Sequence, residues 1–216
     1  YRIPRIDCNV ACPASLEEAF ARTVRETVAC NNWPADFPYA PQVGFRIFHT
    51  GADLLLRFDI AERCTAARTL DDNGPVWTDS CAEFFFRPEG SDSYYNFECN
   101  CIGTLLVGHR RDRTQAEHAP AEVLRTVRRR ATYPHAPLPE TEGDNRWTLT
   151  LAIPAAALFR DRIAGWDGVQ GAMNLYKCGD DLSCPHYLSW RPVGTPAPDF
   201  HRPEFFEPVF FEPKKQ

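Results

Sequence analysis

Between Trp77 and Cys101 the chain alternates so regularly that extended backbone is the conformation that accommodates it. The block Trp77-Thr78-Asp79-Ser80-Cys81-Ala82-Glu83-Phe84-Phe85-Phe86 is followed, after Pro88-Glu89-Gly90-Ser91-Asp92, by Tyr94-Tyr95-Asn96-Phe97-Glu98-Cys99-Asn100-Cys101. In a strand, successive side chains point to opposite faces, and every second residue recurs about 7 Å further on. Asn96, Glu98 and Asn100 therefore form a polar row on one face, while Cys99 and Cys101 lie on the other, where a cysteine behaves as a small hydrophobe. The Gly/Ser/Asp-rich turn makes the two runs neighbours.

The rest of the chain reads as short strands. Val43 to His49 and Leu54 to Ile60, joined by Thr50-Gly51-Ala52-Asp53, carry a hairpin signal. Further strands are expected at 76–87, 93–101, 103–108, 121–133, 147–153, 169–177 and 185–190, with a terminal strand near 209–211. A Pro-rich loop is expected over 134–145. Ser15-Leu16-Glu17-Glu18 fits a capping box, and Leu16, Phe20 and Val24 follow at helical spacing, so a short helix is expected near 15–23. Pro154 suits the first turn of a second short helix reaching Phe159. Many short strands with one or two short helices define an all-β sandwich. A chain of 216 residues can bury one core, and a single domain over 1–216 is expected.

Composition narrows the function classes. A net charge of −5 argues against a phosphate-binding surface, although Arg110, Arg111, Arg113, Arg125 and Arg128 to Arg130 make a locally basic middle. No nucleic-acid partner is expected. No apolar run approaches the ~20 residues of a membrane-spanning helix. No signal peptide is present, and the start at Tyr1 leaves the compartment open. The nine cysteines lack the paired spacing of a zinc ribbon. They read as buried thiols, with disulfides involving Cys8, Cys12 or Cys30 as the alternative. No cysteine has the setting of a catalytic nucleophile. No cofactor is required by any motif. Asp71-Asp72-Asn73 offers oxygen ligands in a turn, as would suit a structural calcium, with a plain Asx turn as the alternative.

A row of amide and carboxylate groups near indole rings suits a pyranose, which has hydroxyl edges and apolar C–H faces. Trp77 precedes the polar row, and Trp190 stands far downstream. Several blocks together resemble the carbohydrate-binding module family 9-like proteins: Trp-x-Asp-Ser-x-x-Glu-Phe-Phe at 77–85, the run at 94–104, Asn-Leu-Tyr-Lys-Cys-Gly-Asp at 174–180, Pro-His-Tyr-Leu-Ser-Trp at 185–190 and Asp-Phe-His-Arg-Pro-Glu-Phe-Phe at 199–206. The resemblance implies a two-sheet antiparallel sandwich that binds mono- or oligosaccharides, often beside a glycan-degrading enzyme, and export to the periplasm or outside the cell. It also implies that Trp77 and Trp190 clamp a sugar, with Glu83 as the accompanying carboxylate and Asn100 as an amide. The expected site is thus Trp77, Glu83, Asn96, Glu98, Asn100 and Trp190. Lys177 and His186, and with them His201 and Arg202, either line the cleft or close it. Trp33, Trp147 and Trp166 are assigned to packing.

Two other readings accompany recognition. Glu83 and Glu98 could serve a glycosidase, which needs two carboxyl groups about 5–5.5 Å apart for retention and farther apart for inversion. Alternatively, the aromatic residues could fill a closed cleft in a structural or interaction domain.

Overall fold

A computed structural model describes residues 1–215 of the protein. Its strands are β1 (Arg2–Ile3), β2 (Glu26–Thr27), β3 (Cys30–Asn31), β4 (Gln42–His49), β5 (Asp53–Ala67), β6 (Cys81–Pro88), β7 (Tyr94–Asn100), β8 (Leu105–Arg110), β9 (Ala116–His118), β10 (Arg128–Ala131), β11 (Leu138–Pro154), β12 (Gln170–Cys178), β13 (Tyr187–Ser189) and β14 (Glu207–Phe211). Two short helices, α1 (Pro13–Ala21) and α2 (Ala121–Leu124), complete the regular structure together with three 3-10 turns.

The strands form two sheets. One has nine strands along the path β1-β14-β12-β6-β7-β8-β9, with β13 and β3 attached through β12, and the other has five in the order β10-β11-β5-β4-β2. Neighbours pair antiparallel except β1 and β14. The inward positions of both sheets, among them Phe45, Leu56, Phe58, Phe84, Phe97, Trp147 and Leu175, form one apolar core. A buried face on each sheet is what drives the two layers together.

The nine-stranded sheet is buried on its outer face as well. Trp33, Phe85, Tyr94, Tyr176, Phe200 and Phe206 form a second cluster there. Tyr176 stacks on Phe200 with ring centroids 4.2 Å apart, and its hydroxyl donates to Phe200 O. The Pro-rich segment 192–203 is thereby laid across the sheet as a third layer, which explains why β6 and β7 carry aromatic residues on both faces. On the far side, α1 covers the five-stranded sheet through Phe20 against Phe48.

Several boundaries differ from the sequence reading. The helix begins at Pro13, which occupies its first turn, and Ser15 accepts from Asn9 N instead of capping it. Val24 is exposed because the helix has ended before it. The segment 121–133 is divided: Pro120 leads into α2, and the strand is confined to Arg128–Ala131. Its arginines are partly paired, Arg128 with Asp53 and Arg129 with Asp72. The 134–145 loop is largely strand, because β11 runs back to Leu138 along β5 and absorbs its irregular residues in register shifts at Leu138/Thr141 and Glu142/Asn145.

Candidate functional site

Three adjacent strands position the site. Because β6 and β7 pair with Glu83 opposite Glu98, both carboxyl groups emerge on the outer face. Cys178, at the end of β12, pairs with Cys81 of β6. Glu83, Glu98 and Cys178 floor a cleft of about 370 Å³, walled by Trp77, Arg110, Arg113, Asp180, Tyr187, Asp199, Phe200 and His201.

Trp77 lies in the 3-10 turn Val76–Thr78, not in a strand. Pro75 begins the turn, and Thr78 Oγ1 donates to Pro75 O at 2.8 Å. The indole is 38% exposed, the one exposed tryptophan among the described residues. Its carbonyl is fixed from beneath, accepting from Asp180 N at 3.1 Å and from Cys178 Sγ at 3.5 Å. Buried Asp79 holds the far end of the turn, accepting from Arg68 N, Thr69 N and Asn100 Nδ2 at 2.8–3.0 Å.

Asn100 is therefore a scaffold residue. Its Nδ2 also donates to Thr69 O, and its Oδ1 accepts from Thr104 N across the β7–β8 turn. Gly103 permits that turn with φ +90°. Asn96 is likewise buried, but it works on the cleft: it accepts from Arg110 Nε at 2.9 Å and donates to Glu98 Oε1 at 2.7 Å. It thus relays a guanidinium to the floor and fixes the Glu98 carboxyl.

The floor is poorly solvated. Burial, followed by the neighbouring charge of Glu98, holds the Glu83 carboxyl well above its ordinary range, and burial lifts Glu98 to about 7. Cys178 Sγ donates to Glu83 Oε1 at 3.0 Å. Asp180 is raised to about 6 by burial and then by Asp181. His201, pressed over Phe85 with its Nδ1 2.9 Å from the Tyr94 hydroxyl, is lowered to about 3 by burial and by Arg110 and Arg113. The 199–206 block therefore both plugs the outer face and lines the cleft.

Besides Asn100, three expected site residues lie elsewhere. Trp190 is only 4% exposed and packs edge-on against Tyr1 and Phe45 in the main core, with Arg191 over its ring. Trp77 and Trp190 do not form a clamp. Lys177 pairs across strands with Ala82, so it shares the inward face of that residue. There its Nζ lies 2.8 Å from Glu62 Oε2 and donates to His186 Nε2 at 2.8 Å. His186 is held near 3 by burial and then by Lys177, and it belongs to this interior group, not to the cleft.

Asp72, expected as a metal ligand with Asp71, is instead engaged by Arg129 Nη1 and Nη2 at 2.6 and 3.0 Å and accepts from Leu105 N. Among the described residues, the grouping with metal-ligand spacing is Cys81, Glu83 and Cys178, whose ligand atoms lie within 4.8 Å of one another. Burial pushes the Cys81 thiol up to about 12. The nine thiols are free.

Sequence reasoning missed Arg113, Asp180, Tyr187 and Phe200 as wall residues. A residue just past the end of a strand, as Asp180 is beyond Cys178, stands where loops gather over a sheet edge, and that position was the available signal.

Fold and cleft together define a ligand-binding β-sandwich. Residues 12–211 match the model of carbohydrate-binding family 9, and the chain belongs to that family. No curated protein matches it. Among solved structures it is similar to a Bacteroides uniformis protein described only as a candidate for carbohydrate binding, with 39% identity over 98% of each chain and a TM-score of 0.92. It shares a fold with a family 9 carbohydrate-binding module from Caldicellulosiruptor kristjanssonii. That module's glucose complex aligns at 8% identity and TM-score 0.59, covering 100% of this chain and 97% of the other. The cellotriose complex aligns at 9% and 0.56, covering 100% and 96%. Among the described residues no helix is long and apolar enough to cross a membrane.

Proposed function

We propose that the protein holds a mono- or oligosaccharide in the Trp77 cleft, as recognition without cleavage. The observation that carries this reading is a partly exposed indole at the mouth of a pocket floored by two buried carboxyl groups. A sugar face laid on indole buries C–H surface, worth roughly 25 cal/mol per Å² of apolar area. Hydrogen bonds then select among sugars. With Glu83 and Glu98 both raised, the pair retains a proton near neutral pH, so one carboxyl donates while the other accepts. Adjacent sugar hydroxyls, which do both, complement such a pair.

The glucose and cellotriose held by the Caldicellulosiruptor module make β-glucosides the first ligands to try. Service beside a glycan-degrading enzyme in an exported setting is part of the same reading, supported by family membership. A glycan array carrying glucose, cello- and xylo-oligosaccharides tests it on the intact protein. Binding to a defined subset is expected. A blank array, with tryptophan fluorescence unmoved by every sugar, would favour a structural domain with a degenerate cleft.

Glycoside cleavage is the second reading, favoured by the Glu98 carboxyl near 7, a value suited to a general acid. Glu83 and Glu98 stand directly opposite each other on β6 and β7, and a glycosidase needs two carboxyl groups facing one site. Reducing-sugar release from the same glycans, abolished by Glu98→Gln, would mark turnover. Binding without release leaves recognition standing.

A further inference from the structure

The sulfur atoms of Cys64 and Cys184 lie 2.7 Å apart. That separation is closer to the ~2.03–2.05 Å of a covalent S–S bond than thiols in loose contact require. The two residues come from different parts of the fold. Cys64 sits on β5 of the five-stranded sheet, and Cys184 lies in the segment 179–186 that leaves β12 of the nine-stranded sheet. Ala66, Leu182 and Tyr39 pack around them, and of the two residues Cys184 keeps the larger exposure, 5% against 1% for Cys64.

We infer that Cys64 and Cys184 are a disulfide-forming pair whose bond fastens the wall of the cleft to the opposite sheet. The segment they tie down carries Asp180 into the cleft and leads to Tyr187. Its Asp180 and Asp181 amides donate to the carbonyls of Trp77 and Thr78, so the segment also supports the turn that presents the indole. The opposite end is braced by Ser183 N, which donates to Glu140 Oε1 of β11 at 2.7 Å. A covalent tie at Cys184 completes this bracing.

Arg63 supplies the electrostatics of the exchange. Its Nε and Nη2 donate to Cys184 Sγ at 3.0 and 2.6 Å, so a positive charge faces the sulfur on which negative charge collects during exchange. The oxidant is a disulfide, either a small molecule or a protein. Cys184 Sγ attacks one of its sulfurs, forming a mixed disulfide and expelling one thiol. Cys64 Sγ then attacks Cys184 Sγ and expels the second thiol. Two cysteine thiols are oxidised, one oxidant disulfide is reduced to two thiols, and the two cysteine protons pass to the leaving thiolates.

The test uses the full chain, first reduced, then incubated with excess oxidised glutathione, alkylated and peptide-mapped. Expected are one intramolecular link joining the Cys64 and Cys184 peptides, and seven alkylated thiols from the nine cysteines. Expected too are a rise in Tm of about 5–10 °C and exchange of the Asp180 and Asp181 amides slowed about tenfold. The link and both shifts should be absent from Cys64→Ala and Cys184→Ala. Nine free thiols after oxidation, glutathione adducts without the internal link, or a link between Cys81 and Cys178 instead would each overturn the assignment. The peptide map on the unmutated protein decides even if a variant fails to fold. None of these readouts depends on sugar binding, so a blank glycan array leaves this inference untouched.

Discussion

Glu83 and Glu98 face each other across β6 and β7 at the floor of the cleft, both buried and both raised above the ordinary carboxylate range. Two carboxyl groups so placed cannot both ionise without one charge facing the other in a poorly solvated site. The pair therefore links sugar recognition, pH and stability, because the proton that gives it a hydrogen-bond donor also relieves its burial.

Glu98 is thus expected to make the protein less stable as pH rises. Its folded pKa near 7 lies above the 4.5 of the free side chain, so its stabilising contribution is complete below about pH 4.5 and is lost as pH climbs through 7. The interval corresponds to about 3 kcal/mol. Glu98→Gln should therefore be more stable than the parent by up to about 3 kcal/mol at pH 8, and roughly equal to it at pH 4.5. Denaturant unfolding at the two pH values measures this. His186 and His201, both held near 3, drive the whole-protein curve the other way below pH 6.5, so the difference between variant and parent is the informative quantity. An advantage of the same size at both pH values would contradict the burial of an ionisable Glu98.

Trp190 is expected to behave as core. Trp190→Ala should cost about 3–5 kcal/mol in stability, while the folded variant keeps its sugar affinity within about twofold. A large affinity loss in a variant whose unfolding midpoint barely moved would return Trp190 to the site.

Lys177 makes a parallel case inside the sandwich. Against the cost of burial, the Lys177 ammonium holds Glu62 below its ordinary value, and Trp147 Nε1 donates to the same carboxylate at 2.7 Å. Lys177→Met would leave Glu62 buried without its cation, at a cost of about 3–5 kcal/mol. The double variant Lys177→Met, Glu62→Gln should recover part of that loss in thermal or urea unfolding. Full additivity of the two single changes would mean that the residues do not interact.

The alternation that exposed the polar row also placed the faces correctly. Asn96, Glu98 and Asn100 share one side of β7, and Cys99 and Cys101 lie in the opposing core. What a single strand could not reveal is which polar residues reach a ligand and which serve the fold. Asn100 has the same spacing as Glu98, yet its partners Asp79 and Thr69 come from the segment between β5 and β6. Lys177 is expected from the 174–180 block either to line the cleft or to close it. Its neighbours Tyr176 and Cys178 face outward, so the period of two directs Lys177 inward, towards a partner on β5 that the local sequence does not name. Trp190 illustrates the same limit, since an indole packs as readily on Phe45 as on a sugar. The extension of β11 was hidden because Pro and Gly residues signal a loop, whereas a bulged strand accommodates them.

The most direct test is calorimetric titration of the intact protein and of Trp77→Ala with the best ligand from the array, or with cellotriose at the outset. The expected result is measurable binding by the parent and at least a tenfold weaker affinity in the variant, since losing one stacked aromatic should cost more than ~1.4 kcal/mol. Equal affinities in the two proteins would contradict the assignment of the Trp77 cleft as the sugar site.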